Sequence, residues 1–118
     1  MPKRVIIADD TDFFRAVLCD ILSKGGYEVV GQAVNGEEAL RLVSELRPDI
    51  IILDIIMPVK NGIEVAKEIS LMEGAPKIVM CTSLGYEPIV DEAIRSGACA
   101  YIIKPLSTEK VLRTLDCI

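Results

Sequence analysis

The sequence predicts an α/β fold: one doubly wound parallel sheet of five strands, with five helices on its two faces. Three observations predict it. Short apolar runs alternate with segments of helical spacing along all 118 residues. The first, third and fifth runs are nearly continuous in Ile, Val, Leu or aromatic residues, as strands buried on both faces are. Glycines and prolines fall at the joints between segments. Such alternation needs right-handed crossovers, which put helices on both sides of the sheet.

In chain order, the strands are expected over Val5–Ala8, Val29–Val34, Ile50–Leu53, Lys77–Cys81 and Ala100–Ile103. The first helix is expected over Phe13–Leu22, with Phe14, Val17, Leu18, Ile21 and Leu22 on one face. Glu37–Leu46 follows with Leu40, Val43 and Leu46, then Ile63–Met72 with Ile63, Ala66 and Ile69. Ile89–Ser96 carries Val90, Ala93 and Ile94, and Val111–Leu115 belongs to a last helix. Gly25-Gly26 and Gly97 stand just past the first and fourth helices, where left-handed caps are wanted. Pro48 and Pro76 follow the second and third. Asn35 or Gly36 can cap the second helix, and Ser107 the fifth, with Lys110 where a capping box wants Glu.

Length and composition bound the function. A chain of 118 residues, 51% hydrophobic, makes one domain over 1–118 with a core of its own. Eighteen acids against 13 basic residues give a net charge of -5, which argues against a nucleic-acid or anionic-membrane surface. The chain has no histidine. That excludes a Ser-His-Asp or Cys-His nucleophile, a His-containing zinc site, and phosphate carried on the chain's own histidine. Cys19, Cys81, Cys99 and Cys117 have no ligand-like spacing and read as reduced, mostly buried thiols. The start, MPKRVIIADD, is too soon acidic for a signal peptide, and no run approaches the ~18 apolar residues of a membrane helix. A cytoplasmic protein is expected.

In an open parallel sheet, sites form at the carboxyl ends of the strands. Asp9 and Asp10 stand after the first strand, Asp54 after the third, Thr82 and Ser83 after the fourth, and Lys104-Pro105 after the fifth. Each has a plain alternative: a turn, a helix cap or a solvated charge. Together, three carboxylates, a hydroxyl and a lysine converge on one edge. Two carboxylates ~4 Å apart repel by about 4 kcal/mol at an effective dielectric near 20, so three call for a cation. A hydrated oxygen cluster suits Mg²⁺, which completes its shell with water and phosphate oxygens. Lys104 offers a point charge to a phosphoryl group, and Thr82 a hydroxyl. A carboxylate beside such charges can act as a nucleophile toward phosphorus.

The pieces VIIADD, IIILDIIMPVKNG, VMCTS and AYIIKP together resemble the receiver domain of two-component response regulators, over essentially the whole chain. The resemblance implies a flavodoxin-like strand order of 2-1-3-4-5. It implies that Asp54 is the phosphoacceptor for a histidine kinase. Asp10, Asp54 and the main-chain carbonyl of Ile56 would be direct Mg²⁺ ligands, with Asp9 acting largely through water. Lys104 would bind the phosphoryl group and Thr82 hydrogen-bond it. Tyr101 matches the family's switch aromatic, with a plain core aromatic as the other reading. Met57-Pro58 and Gly62 match the loop after the acceptor, where Gly62 is expected at a backbone angle closed to other residues. A cis Lys104–Pro105 bond is expected as well. Phe13, Phe14 and Arg15 look like the first-helix start of stand-alone chemotaxis members.

The implied protein is a switch rather than a metabolic enzyme, assisting only its own phosphorylation and slow dephosphorylation. Its implied partners are a sensor histidine kinase, an output or motor switch protein and a phosphatase, with the chain itself a monomer. A phosphorelay intermediate, or the receiver piece of a longer regulator such as a DNA-binding one, stays open. A dehalogenase-type phosphohydrolase would want Asp-x-Asp after the first strand. A flavodoxin would want a hydroxyl-rich phosphate loop there, where this chain is acidic. Ile56 and Leu84, apolar where the family positions water, imply a long-lived phosphoryl group.

Overall fold

The computed structural model describes residues 2–118. Strands β1 (Arg4–Ala8), β2 (Glu28–Ala33), β3 (Ile50–Leu53), β4 (Lys77–Thr82) and β5 (Ala98–Ile103) alternate with helices α1 (Asp12–Lys24), α2 (Gly36–Leu46), α3 (Gly62–Ser70), α4 (Glu87–Arg95) and α5 (Thr108–Asp116). All strand pairs are parallel, in the order β2-β1-β3-β4-β5. This is the expected fold and order.

Successive side chains of a strand point to opposite faces, so the central strands divide the core in two. Ile6 and Ala8 of β1, Ile51 and Leu53 of β3, and Ile78 and Met80 of β4 share one layer with Val43 and Ile69, under α2, α3 and α4. Val5, Ile7, Ile50, Ile52, Val79 and Cys81 face the other, with Leu18 and Leu22 of α1 and Val111 and Leu115 of α5. This is why β1 and β3 read as unbroken apolar runs: neither face meets water. Full burial of each such side chain contributes about 1.5–3 kcal/mol.

The helix ends follow the expected caps and add one. Asn35 accepts from the Glu38 amide at 2.8 Å, and Ser107 from the Lys110 amide at 3.1 Å. Gly26 (φ 83°) and Gly97 (φ 121°) take the left-handed region just past α1 and α4. Asn61 and Glu64 form a full capping box at the start of α3. That box fixes where α3 begins, directly below the loop that follows β3.

Three expectations need correction. The Ile94 side chain points outward, 47% exposed, and Ile89 packs on the core in its place, because the inward face of α4 runs through Ile89 and buried Ala93, four residues apart. Only Cys81 of the four cysteines is buried; Cys19 is half-buried, and Cys99 and Cys117 are exposed. Both exposed thiols lie on outward faces, one on the edge strand β5 and one at the end of α5. Gly62 does not sit at a positive φ. It is the first residue of α3, and a Cβ there would overlap the Asp54 carbonyl oxygen and approach Ile55 Cα to 2.8 Å. Glycine is needed for space, so that α3 can begin against β3. The left-handed residue of this loop is Val59, at φ 73°.

Candidate functional site

The carboxyl edge of the sheet assembles the site because the hydrogen-bond ladder runs one residue past the strands. The Asp9 amide donates to Ala33 O at 3.0 Å, Asp54 to Ala8 O at 2.9 Å, and Lys104 to Thr82 O at 2.8 Å. Two acids and a lysine from three separate strands are thereby fixed side by side. The Lys104–Pro105 bond is cis, as expected.

Lys104 Nζ lies 2.8 Å from Asp9 Oδ2 and 3.0 Å from Asp54 Oδ2. Side-chain exposure is 8% for Lys104, 2% for Asp9 and 9% for Asp54, so these charges are little screened. Burial disfavours the ammonium, but the hydrogen bonds to Asp9 and Asp54 outweigh it and hold the Lys104 pKa above its usual value. The other oxygens are also engaged. Asp9 Oδ1 accepts from the Thr11 amide at 2.9 Å, and Asp54 Oδ1 from the Ile56 amide at 3.3 Å. Asp10 is exposed. One carboxylate oxygen each from Asp9, Asp10 and Asp54 lies within 4.8 Å of the others.

Thr82 is fully buried at the end of β4, and its Oγ1 accepts from the Leu84 amide at 3.5 Å. Tyr101 is half-buried on β5 and donates its hydroxyl proton to the Leu84 carbonyl. Burial raises its pKa, with the charge of Asp54 adding to the effect. Ile56 stands two residues past Asp54 with its side chain 57% exposed, and Leu84 is half-buried against the core. Asp9, Asp10, Asp54, Ile56, Thr82 and Lys104 thus lie at this edge, with Tyr101 tied to it through Leu84.

Two neighbours gain roles the sequence did not assign. Arg15 reaches back from α1 to donate to Asp9 O at 2.6 Å, and its second nitrogen pairs with Asp12. It fixes the chain between the two acids. The Phe14 ring covers Lys104 Nζ at 3.8 Å. Arg15 and Phe14 start a helix just past the acid pair, which is a usable signal, but periodicity alone places such residues in the core.

The donor set suits a hard cation. All its ligating atoms are carboxylate oxygens, one acid is open to solvent, and of the three carboxylates two are paired with a single lysine. Among the described residues, no buried side-chain nitrogen or oxygen lacks a partner. Nor is any helix among them long and apolar enough to cross a membrane.

Comparison with known proteins agrees with this geometry. The response regulator receiver domain family matches residues 5–116. A chemotaxis protein CheY from Thermotoga maritima is 46% identical over 116 residues, covering 98% of this chain and 97% of that protein. The transcriptional regulatory protein PdtaR of Mycobacterium tuberculosis is 38% identical over 116 residues, but there the match spans 56% of the protein. Among solved structures, the CheX-CheY-BeF3-Mg+2 complex from Borrelia burgdorferi aligns with a TM-score of 0.95 and 32% identity, covering 99% of this chain and 89% of that one.

Proposed function

The chain belongs to the response regulator receiver domain family, whose members are phosphoryl-accepting switches, and from that premise we propose that Asp54 is the acceptor. A carboxylate oxygen of Asp54 attacks the phosphorus of a phosphohistidine. The O–P bond forms, the P–N bond breaks, and the electron pair returns to the donor imidazole. This chain has no histidine, so the donor is another protein, a sensor histidine kinase.

The observation that carries this reading is Lys104 Nζ at 2.8 and 3.0 Å from Asp9 and Asp54. The ammonium is already where the transferred oxygens gather negative charge, and positioning with charge neutralisation is what phosphoryl transfer needs. Asp10, Asp54 and the Ile56 carbonyl would hold Mg²⁺. Asp9, buried and paired with Lys104, would act on it through water. The metal, when bound, supplies positive charge to the phosphoryl oxygens. Thr82 takes an oxygen of the attached group through its hydroxyl.

The phosphorylated form then changes affinity for an output partner. The match to a CheY over nearly the full length of both proteins favours chemotaxis and a motor switch protein, working from a single receiver domain over 1–118. The match to just over half of PdtaR favours a second reading, the receiver piece of a longer regulator.

Acetyl phosphate with Mg²⁺ tests the acceptor. Intact-mass analysis should show one added phosphoryl group, absent in Asp54→Asn and in excess chelator. Asp10→Ala should lose most Mg²⁺ binding. Labelling that persists undiminished in Asp54→Asn, or that needs no divalent cation, overturns the assignment.

A further inference from the structure

We propose that Phe14 is a positioning residue for Lys104: its ring holds the ammonium against the two carboxylates. This rests on the reading of Asp54 as acceptor. The Phe14 centroid lies 3.8 Å from Lys104 Nζ, well inside the range at which an aromatic face attracts a cation. The ammonium thus has three close neighbours, the carboxylates of Asp9 and Asp54 and the Phe14 ring.

The placement is not explained by core packing. Phe14 is half-buried, yet it belongs to neither apolar layer of the core. Its ring meets the edge of Phe13 at 5.3 Å and 74°, and the Lys104 ammonium with its face. The neighbouring turn is itself fixed, because Arg15 bonds Asp9 O. The ring therefore hangs from a pinned helix start over the lysine.

The need for such a clamp follows from lysine chemistry. An ammonium on a flexible four-carbon stem is strongly hydrated and has no fixed direction. Two of its three protons are used by Asp9 and Asp54. When Asp54 becomes an acyl phosphate, the charge it offers Lys104 moves outward onto the phosphoryl oxygens. A lysine held only by carboxylates could swing or hydrate at that moment, whereas the ring face keeps it over the site.

The test uses the intact protein with isotope-labelled lysine, and Phe14→Leu, Phe14→Met and Phe14→Tyr. Without metal, the Lys104 ε-methylene protons should be shifted upfield by the ring in wild type and Phe14→Tyr, and not in the other two. With acetyl phosphate at saturating Mg²⁺, Phe14→Leu and Phe14→Met should label roughly three- to ten-fold more slowly. Phe14→Tyr should stay near wild type, and Mg²⁺ affinity should be unchanged throughout. In a Lys104→Ala background, Phe14→Leu should cost nothing further. An unshifted Lys104, a Leu or Met variant as fast as wild type, or equal slowing in the Lys104→Ala background overturns the proposal alone. A wild type that is never labelled overturns the acceptor reading and this proposal with it.

Discussion

Tyr101 donates its hydroxyl proton to the carbonyl of Leu84, whose amide donates to Thr82 Oγ1 at 3.5 Å. One peptide segment is thus held from both sides, by the aromatic of β5 and by the hydroxyl at the end of β4. A phosphoryl oxygen that accepts the Thr82 hydroxyl proton and draws Oγ1 toward it would stretch the already long bond from the Leu84 amide and loosen Leu84. The loosening passes to Tyr101 without any move of the sheet. Tyr101→Phe should therefore keep labelling of Asp54 but weaken the response at Leu84. Amide spectra with and without beryllofluoride read this directly. A Leu84 shift as large in Tyr101→Phe as in wild type would show that the two are not coupled.

Gly62 gives a prediction with a definite sign. At the first turn of an exposed helix, Gly→Ala stabilises by up to about 1 kcal/mol. Here a Cβ would overlap the Asp54 carbonyl oxygen, so Gly62→Ala should destabilise instead, by about 1–3 kcal/mol. Urea unfolding midpoints decide. A raised midpoint would mean that the contact is soft and that the loop after β3 gives way.

Val59 is the opposite case. It is β-branched, 67% exposed, and held at φ 73°. The left-handed region costs an L-residue about 1–2 kcal/mol, and most for branched side chains. Asn tolerates that region and nothing is lost from the core, so Val59→Asn should stabilise by about 1 kcal/mol and raise Tm by a few degrees. An unchanged or lower Tm would show that the exposed side chain contributes a contact worth more than the strain.

What could be read from the sequence has a physical boundary. Asp9, Asp54, Thr82 and Lys104 were legible because parallel strands put their carboxyl ends on one edge, whatever the details of packing. The capping box left a signal that the sequence reading did not take up: Asn61 stands three residues before Glu64, ahead of an apolar helix face. Other features depend on how elements meet. That Gly62 answers to the Asp54 carbonyl needs the approach of α3 to β3, and that Ile94 faces out needs the rotation of α4 that turns Ile89 and Ala93 inward. Phe14 lies on the expected face of α1, but periodicity cannot tell an apolar neighbour from an ammonium.

The cysteines supply a pH prediction. Burial raises the Cys81 pKa to about 12, whereas an unfolded thiol ionises near 8.5. The folded state thus keeps a proton that the unfolded state loses. The resulting stability is fully present below about pH 8.5 and falls as pH rises toward 12. Cys81→Val should flatten that alkaline loss in part, since Tyr27, raised to about 12 by burial and its bond to Asp116, titrates in the same window. At pH 8.5, iodoacetamide should modify Cys99 and Cys117 in the native protein and reach Cys81 only in denaturant. Rapid native labelling of Cys81 would mean that β4 opens readily.

The lifetime of the phosphoryl group is the last expected outcome. An acyl phosphate is lost when water attacks phosphorus in line with the aspartyl oxygen, and catalysing that loss needs a polar group to orient the water. Ile56 and Leu84 flank the approach in sequence, two residues after Asp54 and two after Thr82. Ile56 is 57% exposed, two residues past Asp54, so it can stand over the site without leaving the core short of a side chain. Leu84 is half-buried and packs on the core, and its main chain is tied to Thr82 and Tyr101. Neither side chain can hydrogen-bond water, and Ile56 is the freer of the two to exclude it. Loss of a water-orienting contact of ~1–2 kcal/mol lengthens the lifetime roughly five- to thirty-fold. Ile56→Asn with Leu84→Glu should shorten it by a comparable factor, with Ile56→Asn alone giving most of the change. Phosphate release at saturating Mg²⁺ measures this. Equal rates in wild type and the double variant would show that the site's charges alone set the lifetime.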